Sequence, residues 1–267
     1  MSSILSRSLR TCTTLPRSIA PRPSFLAAPR LGQWQGLRQA SPVGVRFLSE
    51  QPRLRLGSIA PNFTAQTTHG EMNFHDHIGN SWAILFSHPA DFTPVCTTEL
   101  GAFAKLKDEF DARGVKMIGL SANDLTSHST WINDINDIAN TQVQFPIIAD
   151  AERKIAYLYD MLSEEDVKRV QTNPKEIAFT IRSVFIIDPA KKIRLTMLYP
   201  ASTGRNTAEV LRVIDALQSA DRNGVATPVD WSVGEDVIVP PSVGVEDARK
   251  KFGDVRVVRD YLRYVKV

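Results

Sequence analysis

Along residues 54–222, short apolar runs alternate with longer stretches whose apolar residues recur every three or four positions. That alternation predicts an α/β domain, because strands and helices that follow one another in turn pack as a sheet with helices against it. Residues 82–87 (WAILFS) read as a buried strand between Gly79-Asn80 and His88-Pro89. Residues 95–113 read as a helix with Leu100, Phe103, Leu106 and Phe110 on one face, ended by Gly114. Strands are predicted over 115–120, 146–149, 183–187 and 193–199, the last two forming a hairpin across Lys191-Lys192. Helices are predicted over 124–138, 152–159 and 206–220, with Trp131, Ile132, Ile135 and Ile138 as the core stripe of the first. Past Asn223-Gly224, prolines and glycines break residues 223–267 into short extended pieces and one small charged helix near 246–251. A segment of that size keeps no stable core alone, so it is expected to pack on the main domain or on a second subunit.

The formal net charge of +3 would ordinarily point to nucleic acid or an anionic membrane surface, but its distribution removes that reading. Residues 1–49 hold seven arginines and no lysine, aspartate or glutamate, which leaves −4 for the remainder. Arg7, Arg10, Thr14 and Arg17 fall on one helical face and Leu5, Leu9 and Cys12 on another. An amphipathic segment rich in Arg and Ser and free of acids has the composition of a mitochondrial transit peptide. Arg46-Phe47-Leu48-Ser49 resembles a matrix-processing site, so residues 1–48 are expected to be removed and the protein to work in the mitochondrion. No apolar run is long enough for a secretory signal or for a membrane-spanning helix. With two cysteines, Cys12 and Cys96, the chain is neither a disulfide-stapled fold nor a Cys-rich zinc protein. Loss of the leader leaves Cys96 alone.

Cys96 follows the predicted strand 82–87 directly and falls in the first turn of the next helix. Unpaired backbone N–H groups and the positive end of the helix dipole favour an anion there, which is the setting of a reactive thiolate. Pro94, two residues earlier, suits a helix N-terminus because its missing N–H would have no partner in any case. Thr93 brings a hydroxyl close by, and Glu99 lies one turn on.

The string His88-Pro-Ala-Asp-Phe-Thr-Pro-Val-Cys-Thr-Thr-Glu-Leu100, with its Pro89-x-x-x-Thr93-x-x-Cys96 core, resembles the active-site loop of the one-cysteine peroxiredoxins. Four other features agree in order and spacing: Ala60-Pro61-Asn62-Phe63, Arg182 before SVFIID, Tyr199-Pro200 through Arg205-Asn206, and Thr227-Pro-Val-Asp-Trp231. The resemblance implies a thioredoxin-like fold, a central mixed sheet flanked by helices over 54–222, with a small C-terminal subdomain over 223–267 that reaches a second subunit in a homodimer. It implies reduction of hydrogen peroxide and organic hydroperoxides, with Cys96 as the nucleophile that becomes a sulfenic acid. Arg182 would favour the thiolate and stabilise the departing oxygen, Thr93 would hydrogen-bond the sulfur or the peroxide, and Pro89 would shape and shield the pocket. Glu99 and Arg205 would hold the arginine network, and His88 would sit at the mouth of the thiol pocket. No metal, haem or flavin is implied, because the thiol itself accepts the oxygen. No cysteine follows residue 96, so an external thiol (the glutathione, thioredoxin or glutaredoxin system) must regenerate the site.

Two alternatives carry their own residues. A phospholipase set known in some relatives is matched by His75 and Ser81, but its acid position is Ala190, and Ser81 precedes a strand rather than sitting on a strand-to-helix elbow. A thioredoxin-fold chaperone or redox-sensing binding module would keep the loop as scaffold only, and would not need the intact Cys, Thr, Pro and Arg set. His75 and His77, with His88, lack a nearby cysteine partner and read as loop histidines rather than metal ligands.

Overall fold

The structure, a computed structural model, describes residues 54–173 and 179–267; the leader and its processing site lie outside them. In chain order the elements begin with β1 (Thr64–Thr67), β2 (Gly70–Asn73), α1 (Phe74–Ile78), β3 (Trp82–Ser87), α2 (Pro94–Lys105), α3 (Lys107–Ala112) and β4 (Val115–Ser121). They continue with α4 (Leu125–Ala139), β5 (Ile147–Ala149), α5 (Lys154–Leu158), α6 (Glu164–Thr172), β6 (Arg182–Ile187), β7 (Ile193–Tyr199) and α7 (Thr207–Asn223). Beyond α7 come β8 (Val237–Ile238), α8 (Val245–Phe252), β9 (Arg256–Arg259) and β10 (Leu262–Val265).

Strands β1 to β7 form one mixed sheet in the order β2-β1-β5-β4-β3-β6-β7. In it β3 runs parallel to β4 and antiparallel to β6. Successive side chains of β3 point to opposite faces. Ile84 and Phe86 join Phe103, Trp131 and Ile135 on one side, while Ala83 and Leu85 join Phe74, Tyr159 and Phe185 on the other. Both faces are covered, which is why the strand reads as an unbroken apolar run rather than an alternating one. The result is a central mixed sheet with helices against it, the thioredoxin-like arrangement.

The helix expected over 95–113 is two helices. Leu106 adopts φ −94°, ψ 9° between them, and its N–H bonds the Phe103 carbonyl at 3.1 Å, a step of three rather than four. The apolar spacing survives this break because Phe103 and Phe110 both remain fully buried. In α4 the buried face is His128, Trp131 and Ile135, while Ile132 packs only partly and Ile138 is 71% exposed. The cause lies in the contact with α2. A Cβ placed on Gly101 would stand 2.6 Å from the Ala139 Cβ, so the two helices approach there without a side chain between them, and neighbouring Ile138 turns to solvent. Helix α7 runs to Asn223 and closes on Gly224 at φ 64°, a left-handed end that suits glycine. β1, β2, α1 and α6 have no counterpart among the expected elements; the first three are only four or five residues long, and α6 has no buried apolar stripe.

The C-terminal strands form a separate antiparallel sheet, β8-β10-β9. Its small core of Val225, Trp231, Val237, Val239 and Ala248 closes on Ala216 of α7. Arg212 Nη1 donates to the Trp231 carbonyl at 3.1 Å, and Lys251 Nζ to that of Asn223 at 2.6 Å. The tail thus packs on its own chain's last long helix. Among the described residues no helix is long and apolar enough to cross a membrane.

Candidate active site

The antiparallel pairing of β3 with β6 places the C-terminal end of β3 beside the start of β6, with Phe86 opposite Val184. Cys96, which follows β3, and Arg182, which opens β6, therefore meet at the same end of two neighbouring interior strands although 86 positions separate them. Thr93 is the N-cap of α2 and Pro94 its first residue, so Cys96 stands in the first turn, as its sequence setting predicts. Its thiol is fully buried.

Arg182 Nη1 lies 3.3 Å from Cys96 Sγ and donates to Glu99 Oε2 at 2.6 Å. Its remaining donors, Nε and Nη2, hold the Ala201 carbonyl at 3.0 and 2.7 Å, which fixes the fork of the guanidinium. Arg205 grips Glu99 through its backbone N–H, Nε and Nη2 at 2.6, 3.0 and 2.9 Å. Arg205 Nη1 also donates to the carbonyls of Ser87 and Ser183, and its guanidinium lies over Phe86 and Phe103 at 5.5 and 5.4 Å. Two buried arginines and one glutamate leave one positive charge beside the Cys96 sulfur. Burial alone would push the Glu99 carboxyl up, but the hydrogen bonds and charge of Arg205, with the charge of Arg182, outweigh it and hold Glu99 below the usual carboxylate range.

The other expected residues take different positions. Thr93 donates its hydroxyl to the Ala90 carbonyl at 2.9 Å, leaving the oxygen lone pairs free to accept. Pro89 is buried at the foot of the same loop. His88 is fully buried rather than open at a mouth: its Nε2 bonds Asp91 Oδ1 at 2.8 Å, and its ring lies 5.0 Å from that of Trp131. Burial pushes the His88 ring down, opposed by Asp91. Asp91 and His128, which sequence reasoning passed over, join this part of the site, with His128 Nδ1 2.7 Å from Asp91 Oδ2. The one available signal is that His128, Trp131 and Ile135 share a helical face. His75 bonds the Ala60 carbonyl through Nε2, which occupies the nitrogen that a hydrolase would need free.

Acid should weaken this arrangement. Burial would raise the Asp91 carboxyl, but hydrogen bonds from His128 and His88 outweigh it and hold Asp91 far below its ordinary 3.8. A carboxyl depressed in the folded state contributes stability that is complete above its unfolded value and is lost as pH falls below it. Circular dichroism should therefore show the fold losing stability below about pH 4, with a shallower pH slope in Glu99→Gln. That variant should also lose about 3–5 kcal/mol at pH 7, since it strands two buried arginines. An unchanged slope would contradict the pairing.

Comparison with known proteins gives the class. Residues 56–196 match the AhpC/TSA family, and residues 216–254 match the C-terminal domain of 1-Cys peroxiredoxin. The chain belongs to this family of peroxiredoxins and is a thiol peroxidase. Within it, the chain is a one-cysteine peroxiredoxin of the mitochondrial type. Over 219 residues it is 57% identical to the mitochondrial peroxiredoxin PRX1 of Saccharomyces cerevisiae, covering 82% of this chain and 83% of that protein. Over 223 residues it is 48% identical to peroxiredoxin-6 of Gallus gallus, covering 80% and 97%. A solved yeast mitochondrial 1-Cys peroxiredoxin, studied for thiol resolution via glutathione and thioredoxin systems, superposes with a TM-score of 0.73 at 53% identity, covering 80% of this chain and all of that one. A cysteine-to-serine mutant of peroxiredoxin 6 from Arenicola marina gives 0.75 at 43% identity, covering 80% and 98%.

Proposed function

We propose that Cys96 is the peroxidatic nucleophile, and the observation that carries this reading is the 3.3 Å approach of Arg182 Nη1 to its sulfur. The thiolate attacks the terminal oxygen of a hydroperoxide; the S–O bond forms as the O–O bond breaks, and the departing oxygen takes a proton to leave as water or an alcohol. Arg182 stabilises the charge developing along that path. Glu99 and Arg205 hold Arg182 in place, Thr93 offers its lone pairs to the peroxide O–H, Pro89 shields the loop and His88 supports it from below.

The sulfenic acid is reduced by an external thiol: one thiol forms a mixed disulfide with release of water, and a second releases Cys96. Supporting this, the sole other cysteine of the chain is Cys12, in the leader that processing after Leu48 would remove. The yeast relative's resolution by glutathione and thioredoxin systems makes those two the thiols to test. A homodimer fits the sheet: β7 is an edge strand with Leu198 58% exposed, and beyond the bridge of Ile59 to Lys192 its outer side has no neighbouring strand among the described residues.

The test is turnover in the full chain carrying Cys12→Ser. Without added thiol, peroxide consumption should stop after one equivalent, and it should continue when glutathione or a thioredoxin system is supplied. Failure of both systems to restart it would overturn the external-thiol reading.

A further inference from the structure

A single oxygen grips the backbone of Arg182 from both sides. Ser87 is the last residue of β3; its Oγ donates to the Ile181 carbonyl at 2.5 Å and accepts from the Ser183 N–H at 3.2 Å. Those two peptide groups flank residue 182. A carbonyl can only accept, which commits the Ser87 proton to Ile181, so the Ser183 hydroxyl, 2.7 Å away, is the donor between the two serines. Ser87, Ser183 and Arg182 are all buried. Water therefore does not compete for these contacts, and leaving any of the groups without a partner would be costly.

The sheet explains why the clasp falls here. The β3–β6 ladder ends with Phe86 opposite Val184, and Ser87 and Ser183 are the next pair in register. At that pair the Ser87 side chain takes the Ser183 N–H, while the carbonyls of both serines accept from Arg205 Nη1 at 2.9 and 3.0 Å. Alternation along β6 puts Arg182 with Val184 and Ile186 on the face that holds Cys96, and Ser183 with Phe185 and Ile187 on the other. The hydroxyl thus holds the strand from one face while the guanidinium leaves from the opposite one. Ile181 is tied down further by its own N–H, which donates to the Met161 carbonyl at 2.8 Å. Glu99 and the Ala201 carbonyl fix the tip of the Arg182 side chain, and Ser87 fixes its root.

We propose that Ser87 is a positioning residue for the oxidation step: its hydroxyl fixes the stretch of backbone from which Arg182 reaches the Cys96 sulfur, and the Ser183 hydroxyl orients it. This rests on Cys96 being the nucleophile and Arg182 acting on it.

The experiment follows oxidation of Cys96 by hydrogen peroxide in the full chain by rapid mixing. Ser87→Val and Ser87→Thr have nearly the same shape and differ in the hydroxyl. Oxidation should slow about 10- to 100-fold in Ser87→Val, the scale on which a small misplacement of a reacting group acts, and most of the rate should return in Ser87→Thr. In an Arg182→Ala background the Ser87→Val loss should disappear, because residue 87 acts through Arg182. Ser183→Ala removes the other hydroxyl of the pair but leaves the two backbone contacts of Ser87, so it should slow oxidation less than Ser87→Val does. Equal losses in Ser87→Val and Ser87→Thr, or the same loss with and without the Arg182 side chain, would overturn the proposal. The wild-type protein decides the matter where Ser87→Val does not fold: the Ser87 hydroxyl proton should give a slowly exchanging resonance with a through-space contact to the Ser183 amide proton, and its absence overturns the clasp. A wild-type Cys96 that peroxide does not oxidise, or an Arg182→Ala variant that reacts at the wild-type rate, would be a failure of the underlying assignment instead.

Discussion

Cys96→Ser abolishes peroxide turnover, lowering it by at least about 10⁴-fold, the scale on which removal of a nucleophile acts. The reason is chemical rather than steric. A serine hydroxyl remains protonated near neutral pH and has no stable oxidised counterpart of a sulfenic acid, so neither half of the cycle can proceed. The fold should survive, because the residue sits in the first turn of α2 and the substitution is nearly isosteric. Glu99 would still pair with Arg182 and Arg205. Turnover by the variant and wild type is measured with saturating reductant, and activity retained in a folded Cys96→Ser protein would contradict the assignment.

Arg182→Ala should slow the oxidation of Cys96 by about 10²–10³-fold, as loss of one preorganised donor to developing charge does elsewhere. The side chain supplies both the approach to sulfur and the contacts with Glu99 and Ala201. Removing it breaks a buried pair, so stability should fall by about 3 kcal/mol or more. Arg182→Lys separates the two effects: it keeps the charge but cannot hold Glu99 and the Ala201 carbonyl with one planar fork, so part of the rate should remain lost at a higher melting temperature. Rapid mixing resolves oxidation by peroxide from reduction by thiol, and only the first step should respond strongly. A variant slowed mainly in the reduction step would remove Arg182 from the chemistry.

Much of this was readable from local pattern. The buried strand 82–87, the loop and the helix that starts near Pro94 follow from apolar runs and from proline placement, and they put Cys96 in a helix's first turn without knowledge of any partner. What local pattern does not carry is pairing at long range. The meeting of Arg182 with Cys96 depends on β6 running antiparallel to β3, and the resemblance to a known family supplied it before the strands were placed. The break at Leu106 left no trace because both helices keep the same face to the core. His128 was passed over for a related reason. Reading the stripe of α4 from its isoleucines placed Ile138 in the core, whereas the close approach at Gly101 rotates the buried face onto His128, Trp131 and Ile135. A polar residue on that face is the mark of a buried hydrogen-bonded group, and Asp91, three residues from His88, was its available partner.

Charge is divided just as unevenly. The excess positive charge of the chain lies in the leader, while in the candidate site a buried pair of arginines surrounds the single carboxylate of Glu99. Their surplus lies 3.3 Å from the Cys96 sulfur through Arg182, which links the fold's electrostatics to the chemistry proposed for one atom.

The most direct measurement is the mass of the protein and the state of Cys96 after one equivalent of hydrogen peroxide in the absence of thiol. One added oxygen, located on Cys96 and trapped by a sulfenic-acid reagent, with one equivalent of peroxide consumed, is the expected result. An unmodified Cys96 with peroxide left in solution would contradict it.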